Sequence, residues 1–239
     1  MMHHTDPGMP LDETLRFLAD AQASGKIRYW AWSNTTGGLT AAICAAAQRL
    51  GMSAPAAISV QYSLLCRETE WDILPAAAAE RLAVLPWSPL KGGWLTGKAG
   101  AGAGGAEPPA GSRLAVAEAS GRSKESAPTW SEFRDQTRTE ATLAALHSVA
   151  ARLRGTVAQV ALRWLLHRRA VTAVVIGAKT VAQLEENLGA LSITLSREDV
   201  ALLDSSSAVA VPDPYKIVVG KVQAGRERDS SEGPMSYKD

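Results

Sequence analysis

Hydrophobic and polar positions follow two alternating patterns along this chain, which predict helices and strands in turn. Apolar residues three or four positions apart indicate amphipathic helices, whereas short apolar runs bounded by turn residues indicate strands. Helices are predicted over residues 10–24, 37–51, 73–82, 132–153, 157–168, 180–191 and 197–204. Strands are predicted over residues 27–32, 57–61, 83–87 and 172–176. Regular alternation of strand and helix is typical of an α/β domain with a parallel sheet.

The number of strands limits which parallel α/β fold the chain can form. A closed (β/α)₈ barrel needs eight strands, and only four are clear here. We therefore expect a partial (β/α)₈ TIM barrel, roughly the C-terminal half, that opens at the end of another strand. This domain is expected to span residues 1–215, followed by a polar, disordered tail over 216–239. Residues 99–131 are rich in Gly, Ala, Ser and Pro, which predicts a long flexible loop with a short helix around 113–120.

Composition and charge exclude several classes of function. The 239 residues carry a formal net charge of +1, which gives no electrostatic reason to bind nucleic acid or an anionic membrane. No apolar run reaches the roughly 18 residues of a transmembrane helix. Cys44 and Cys66 show neither metal-ligand spacing nor a disulfide framework, so we expect no metal site and a reducing, cytoplasmic location.

Polar residues follow two of the predicted strands, at the end that forms the active face of a barrel. Ser33 and Asn34 supply hydrogen-bond donors and acceptors for a carboxamide, and so does Gln61. The neighbouring Tyr62 has a ring that could stack on a flat ligand. A structural alternative makes Ser33 and Asn34 the cap of the next helix and places Tyr62 in the core.

The segment after the third predicted strand has the composition of a phosphate-binding loop. Pro89 stiffens the turn, and Ser88 and Leu90 can offer backbone N–H groups to phosphate oxygens. Glycine at 93 and 97 permits close approach of the backbone, and Lys98 adds positive charge. An ordinary turn with a surface lysine is the alternative.

The fourth predicted strand leads into a helix whose first turn could bind an anion. Gly177 permits a tight turn, and Lys179 and Thr180 lie where the helix N-terminus attracts negative charge. Gln183 and Asn187 are four residues apart and are expected on one face. In the alternative, Thr180 and Gln183 form a capping box, and three leucines of this helix, Leu184, Leu188 and Leu191, belong to the core.

These stretches, taken in order, resemble the aldo-keto reductase family. The resemblance rests on five segments: His3–Pro7 with Pro10–Thr14, Gly25–Tyr29 with Trp32–Asn34, Gln61–Leu65, Trp87–Leu90 with Gly93–Lys98, and Ile176–Thr180 with Gln183, Glu186 and Asn187. It implies an NADPH-dependent oxidoreductase that reduces aldehyde or ketone carbonyls. It also implies that NADP is held by the candidate residues above together with Glu186, and Lys179 favours NADP over NAD.

The resemblance assigns a catalytic role to one residue of this chain. His3 matches the histidine that orients the substrate, with His4 as the alternative, and both could instead be exposed terminal side chains. The family's catalytic Asp, Tyr and Lys come from earlier strands, which are absent here. The chain is therefore expected to be incomplete as an enzyme.

Two other functions remain open at this point. The family also resembles potassium-channel beta subunits, so a non-catalytic NADP-binding regulatory subunit is one alternative. An inactive fragment that self-associates through open sheet edges is the other.

Overall fold

A computed structural model of the chain describes residues 1–98 and 137–217, together with residues 115, 116 and 119. Its strands are β1 (Ala31–Ser33), β2 (Ala57–Gln61) and β3 (Ala83–Trp87), which form a parallel sheet in the order β1-β2-β3. Ser33 lies opposite Ser59, and Gln61 lies opposite Trp87. The three strands confirm the predicted parallel α/β arrangement.

Two further segments run parallel to the outer strands without forming regular strands. On the outer side of β1, Met2 donates to the carbonyl of Ala31 at 2.8 Å and accepts from the N–H of Ser33 at 2.8 Å. On the outer side of β3, Thr172 donates to Val84 at 2.9 Å and Val175 donates to Pro86 at 2.8 Å. We call residues 1–3 and 171–175 the first and second edge segments.

The predicted strand over 172–176 does not form as a regular strand, and the residues of β3 explain why. Pro86 has no N–H to donate to a neighbouring strand. The N–H of Val84 bonds the Thr172 hydroxyl at 3.3 Å instead of a backbone carbonyl. Because neither position of β3 donates to the backbone of the second edge segment, the pairing there is incomplete.

Seven described helices match predicted ones, with small differences at their ends. They are α1 (Leu11–Ala23), α2 (Gly37–Arg49), α3 (Ile73–Ala79), α4 (Thr137–Leu153), α5 (Val157–His167), α6 (Val181–Leu188) and α7 (Arg197–Ser206). Short 3₁₀ helices cover Glu68–Glu70, Lys91–Thr96 and Gly189–Ser192. The predicted residues 132–136 lie outside the described part of the chain.

Local capping explains where two of these helices begin. Thr156 accepts from the N–H of Gln159, and the Gln159 side chain accepts from the N–H of Thr156, which forms a capping box at the start of α5. Ser196 and Asp199 make the same reciprocal pair at α7. Each pair satisfies backbone donors that the helix itself leaves unbonded.

The two faces of the sheet have different surroundings. Ile58, Val60 and Val84 pack with Ala77 and Leu82 on the helix side. Because side chains alternate along a strand, Ser59 and Gln61 lie on the opposite face of β2. The largest core cluster lies elsewhere and joins α4 and α5 to the segments after β2 and β3, with Tyr62, Trp94 and Trp164 among its buried members.

The chain divides into two units at residues 1–208 and 209–239. In the second unit the structure describes residues 209–217, with one helical turn over 215–217. Residues 115, 116 and 119 are helical, whereas the rest of the predicted loop at 99–131 and the tail from 218 lie outside the described residues. None of the described helices has the length and apolar character needed to cross a membrane.

Candidate functional site

The carboxyl ends of the parallel strands bring most candidate positions to one edge of the sheet. Asn34 follows β1, Tyr62 follows β2 and Ser88 follows β3. His3 follows the paired residue of the first edge segment, and Gly177 follows the second edge segment. Since all of these segments are parallel, residues far apart in sequence share this edge.

Asn34 connects the first edge segment to the end of β1. Its backbone has a positive φ of 55°, and its side-chain amide donates to the carbonyl of His3 at 2.9 Å. Ser33 is buried, and its hydroxyl donates to the carbonyl of Ser59 at 2.9 Å. Thr36, not Ser33 or Asn34, caps α2 by accepting from the N–H of Leu39. The capping alternative for Ser33 and Asn34 is therefore wrong.

Tyr62 belongs to the core, as the structural alternative for this residue states. It is 1% exposed, its hydroxyl donates to Glu70 at 2.8 Å, and its ring centroid lies 5.5 Å from that of Trp164. Burial and then the negative charge of Glu70 raise the pKa of the phenol above its usual range. The ring therefore presents no open face on which a ligand could stack.

Gln61 occupies a better position than Tyr62 for contacting a ligand. It is partly exposed at the carboxyl end of β2, on the face opposite the helices. Its backbone carbonyl accepts from the hydroxyl of Thr69 at 2.7 Å, which fixes the strand end without using the side-chain amide.

The segment after β3 contains several residues with left-handed backbone. Ser88 has a φ of 54°, Lys91 of 46°, Gly93 of 119° and Gly97 of 75°. Three N–H groups of this segment already bond backbone carbonyls within it, because Lys91 donates to Ser88 at 2.9 Å and both Gly93 and Leu95 donate to Leu90, at 2.9 and 3.2 Å. No atom lies within 4 Å of the place where a Cβ of residue 93 would stand, so packing does not require glycine there. Its positive φ does, because residues with a Cβ rarely adopt it.

The other predicted members of this segment differ in exposure. Pro89 is buried and Leu90 is partly buried, so their side chains support the turn. At Gly97 a Cβ would lie 2.9 Å from Val157, so this glycine also permits close packing on α5. Lys98 is exposed.

The start of α6 is exposed and capped by its own side chains. Thr180 accepts from the N–H of Gln183 at 3.2 Å, and the side chain of Gln183 accepts from the N–H of Lys179 at 2.8 Å. The reciprocal bond therefore reaches Lys179, one residue earlier than in a standard capping box. Residues 177–180 are all exposed, so an anion can approach this turn.

The expected shared face of Gln183 and Asn187 stays a prediction: Gln183 is partly buried and Asn187 is buried, and their spacing of four residues places them on one side of α6. The structural alternative for the three leucines is wrong. Leu184, Leu188 and Leu191 are exposed and are not core residues. Glu186 is exposed, and its backbone carbonyl accepts from the side chain of Gln159 at 2.9 Å.

His3 and His4 lie side by side at the start of the chain. Both are exposed, and their ring centroids are 4.5 Å apart. The carbonyl of His3 is held by Asn34, which connects its backbone to the strand edge.

Sequence reasoning missed three residues that shape this edge. The backbone carbonyl of Ser59 accepts from the hydroxyl of Ser33, and the Ser59 hydroxyl donates to the carbonyl of Leu85 at 3.0 Å. Its position two residues before Gln61, on the same face, was a signal that could have revealed it. Lys91 is only 5% exposed, and Arg67 bonds both oxygens of Glu70 just beyond Tyr62. Nothing in the local pattern distinguishes these two residues from surface charges.

Comparison with known proteins identifies the relatives of this chain. A family model described as the aldo/keto reductase family matches residues 1–208. An uncharacterized oxidoreductase, YrpG, of Bacillus subtilis (strain 168) is 32% identical over 203 residues, which cover 85% of this chain and 56% of that protein. An aldo-keto reductase of Babesia bovis is 30% identical over 203 residues, covering 75% of this chain and 60% of that protein.

A third relative carries a different kind of name. A protein of Schizosaccharomyces pombe (strain 972 / ATCC 24843), provisionally named a voltage-gated potassium channel subunit beta, is 31% identical over 192 residues, covering 80% of this chain and 53% of that protein. The chain thus spans about half the length of the curated relatives it matches. With a family match across residues 1–208, the chain belongs to the aldo/keto reductase family.

Proposed function

We propose that this chain is the cofactor-holding part of an NADPH-dependent oxidoreductase that reduces aldehyde or ketone carbonyls. The observation that carries the proposal is the shared edge of the sheet, where the exposed first turn of α6 and the left-handed segment after β3 both lie. A dinucleotide phosphate needs two such anion-binding regions, one for its pyrophosphate and one for its 2′-phosphate.

The residues at this edge fit NADP in their chemistry. Lys179 and Thr180 would hold the 2′-phosphate, because a lysine and a helix N-terminus both favour negative charge. Backbone N–H groups over residues 88–97 would bind the pyrophosphate, other than those of Lys91, Gly93 and Leu95, which already bond backbone carbonyls. Asn34 and Gln61 would hold the nicotinamide carboxamide, whereas Tyr62 is buried and the hydroxyl of Ser33 already bonds Ser59.

When bound, the cofactor supplies hydride for carbonyl reduction. His3 would orient the carbonyl substrate, since Asn34 fixes its backbone at the sheet edge and its ring is exposed. The proton donor and the groups that tune it belong to the family's Asp, Tyr and Lys, which match no position in this chain. Turnover is therefore proposed for the whole protein, and cofactor binding for this part.

Titration of the purified chain with NADPH and with NADH, followed by nucleotide fluorescence, tests the proposal. We expect tighter binding of NADPH, and about a tenfold weaker affinity for NADPH in Lys179→Ala with little change for NADH, because one charge-assisted contact contributes about 1.5 kcal/mol. Lys26→Ala is the matched control, since Lys26 is exposed and precedes β1 at the opposite end of the sheet. Equal affinity of the folded chain for both nucleotides, or no binding, would contradict the proposal.

A non-catalytic NADP-binding subunit is the second candidate, favoured by the relative named a voltage-gated potassium channel subunit beta. The two candidates share the cofactor site and differ in turnover. Steady NADPH oxidation by the whole protein with aldehydes supports the reductase. Tight binding of NADPH without turnover, together with a co-purifying partner, supports the subunit. A cytoplasmic location is part of both proposals and is consistent with two free cysteines.

A further inference from the structure

The strand β2 continues past the end of its neighbour β1. The last pair of residues in register between the two strands is Ser33 with Ser59. One step further, the carbonyl of Ser59 accepts from the N–H of Asn34 at 3.1 Å. Carbonyls two residues apart on a strand point to the same side, so the carbonyl of Gln61 also faces the side of β1, where β1 has ended. The backbone of Gln61 is therefore not fixed by a residue of β1.

The hydroxyl of Thr69 takes the place of the missing strand partner. It donates to the carbonyl of Gln61 at 2.7 Å, and the thiol of Cys66 approaches the same oxygen at 3.9 Å. Thr69 is 5% exposed, so this bond is shielded from water. A thiol is a weak donor, so removal of the Thr69 hydroxyl would leave the carbonyl of Gln61 poorly satisfied.

The short 3₁₀ helix Glu68–Glu70, which contains Thr69, is itself held in place. Glu70 accepts from the hydroxyl of Tyr62 at 2.8 Å and from two nitrogens of Arg67 at 2.8 and 2.9 Å. Tyr62 is buried, so these contacts tie the 3₁₀ helix to the core. The position of the Thr69 hydroxyl is therefore set by the fold, and Gln61 adjusts to it.

We infer that Thr69 is a positioning residue that directs the side-chain amide of Gln61 to the nicotinamide carboxamide, an inference that rests on the proposed function. The side-chain rotamers open to a residue depend on its φ and ψ, so a bond that fixes the backbone of Gln61 also restricts where its amide points. The phosphate groups of the cofactor would be held elsewhere, by the first turn of α6 and by residues 88–97. Loss of the Thr69 hydroxyl should therefore weaken contact with the nicotinamide end of the cofactor alone.

Two ligands separate this role from a general effect on folding. NADPH carries the carboxamide, whereas 2′-phospho-ADP-ribose keeps the phosphate groups and lacks the nicotinamide. In calorimetric titrations of the purified chain, Thr69→Val should bind NADPH about fivefold more weakly, because one hydrogen bond contributes about 1 kcal/mol. Its affinity for 2′-phospho-ADP-ribose should stay within about twofold. Thr69→Ser keeps the hydroxyl and should bind NADPH as the unmodified chain does.

Thr142→Val is the matched control. Thr142 is 0% exposed, and its hydroxyl donates to the backbone carbonyls of Arg138 and Ser206 at 2.7 and 3.1 Å. It loses the same kind of buried bond away from the sheet, so both affinities should be unchanged. If Thr69 acts through Gln61, Thr69→Val should also have no further effect on NADPH binding in a Gln61→Ala background.

Three outcomes would overturn the inference while leaving the proposed function intact. They are equal weakening of both ligands by Thr69→Val, an unchanged affinity of Thr69→Val for NADPH, and a further loss of NADPH affinity in the Gln61→Ala background. If Thr69→Val does not fold, Thr69→Ala removes the same hydroxyl and is judged by the same outcomes. Binding of neither ligand by the folded, unmodified chain would contradict the proposed function, and this inference with it.

Discussion

Replacing Arg67 with alanine should cost far more stability than removing an ordinary surface arginine. Its guanidinium bonds both oxygens of Glu70 at 2.8 and 2.9 Å, the carbonyl of Asp204 at 2.8 Å and the hydroxyl of Ser207 at 3.1 Å. It also lies 5.4 Å from the ring centroid of Trp164. These contacts fasten the segment after β2 to α5 and α7 through one side chain that is 13% exposed.

The size of the loss follows from those contacts. A bidentate, charge-assisted pair contributes about 1.5–3 kcal/mol, and a cation over an aromatic ring adds about 0.5–1 kcal/mol. Glu70 and Asp204 keep contact with water at 29% and 32% exposure, so the cost should not reach the upper part of the range of about 3–5 kcal/mol for breaking a fully buried pair. We expect Arg67→Ala to lower the free energy of unfolding by about 2–4 kcal/mol.

Urea denaturation followed by circular dichroism measures this loss, with Arg49→Ala as the control. Arg49 pairs with Asp12 at 2.5 Å, but the two side chains are 61% and 43% exposed. That pair should contribute about 0–1 kcal/mol. A double-mutant cycle with Glu70→Gln then isolates the Arg67–Glu70 coupling. If Arg67→Ala lowered the free energy of unfolding no more than Arg49→Ala does, the contacts of Arg67 would not stabilise the fold and the reasoning would be refuted.

Two further predictions concern ionisation. Burial, as the main cause, raises the pKa of the Cys44 and Cys66 thiols to about 11. Iodoacetamide at pH 8 should therefore modify both roughly 200-fold more slowly than a free thiol of ordinary pKa; rates within tenfold of glutathione would contradict this. Burial opposes the charge on Asp199, but hydrogen bonds from the Ser196 N–H and Arg152 outweigh it and lower its pKa. A lowered pKa stabilises the fold above the unfolded value of about 3.9, and this contribution is lost as pH falls through the folded value. The decrease in the urea midpoint from pH 7 to pH 3 should thus be smaller in Asp199→Asn than in the unmodified chain. Equal decreases would argue against a stabilising role of the ionised Asp199 carboxylate.

The periodic elements were predictable because their signals are local. The capping boxes at Thr156 and Ser196, for example, need only residues three apart. The strand ends were less predictable. β1 begins at Ala31 instead of residue 27 because its partner β2 begins only at Ala57, and because the N–H groups of Lys26 and Ile27 bond the end of α1.

The errors at the candidate site arose from contacts that no local pattern encodes. Tyr62 follows a strand like Asn34 does, but α5 supplies Trp164 and the next loop supplies Glu70, which together bury it. Leu184, Leu188 and Leu191 have the spacing of core residues, but all three are exposed. Periodicity identifies an apolar face and does not identify what covers it.

The order of strands in this sheet has a consequence for synthesis on the ribosome. From Met2 through β1, β2 and β3, each segment pairs with the one made just before it. Each new strand therefore emerges after its neighbour, and the paired residues, such as Ala31 with Ala57 and Ala57 with Ala83, are separated by one α-helix and its connections. The bond from Arg67 to Asp204 spans 137 residues and forms only after α7 has left the exit tunnel. The sheet can thus pair strand by strand as the chain is made, whereas the contact of Arg67 with Asp204 forms only later in synthesis.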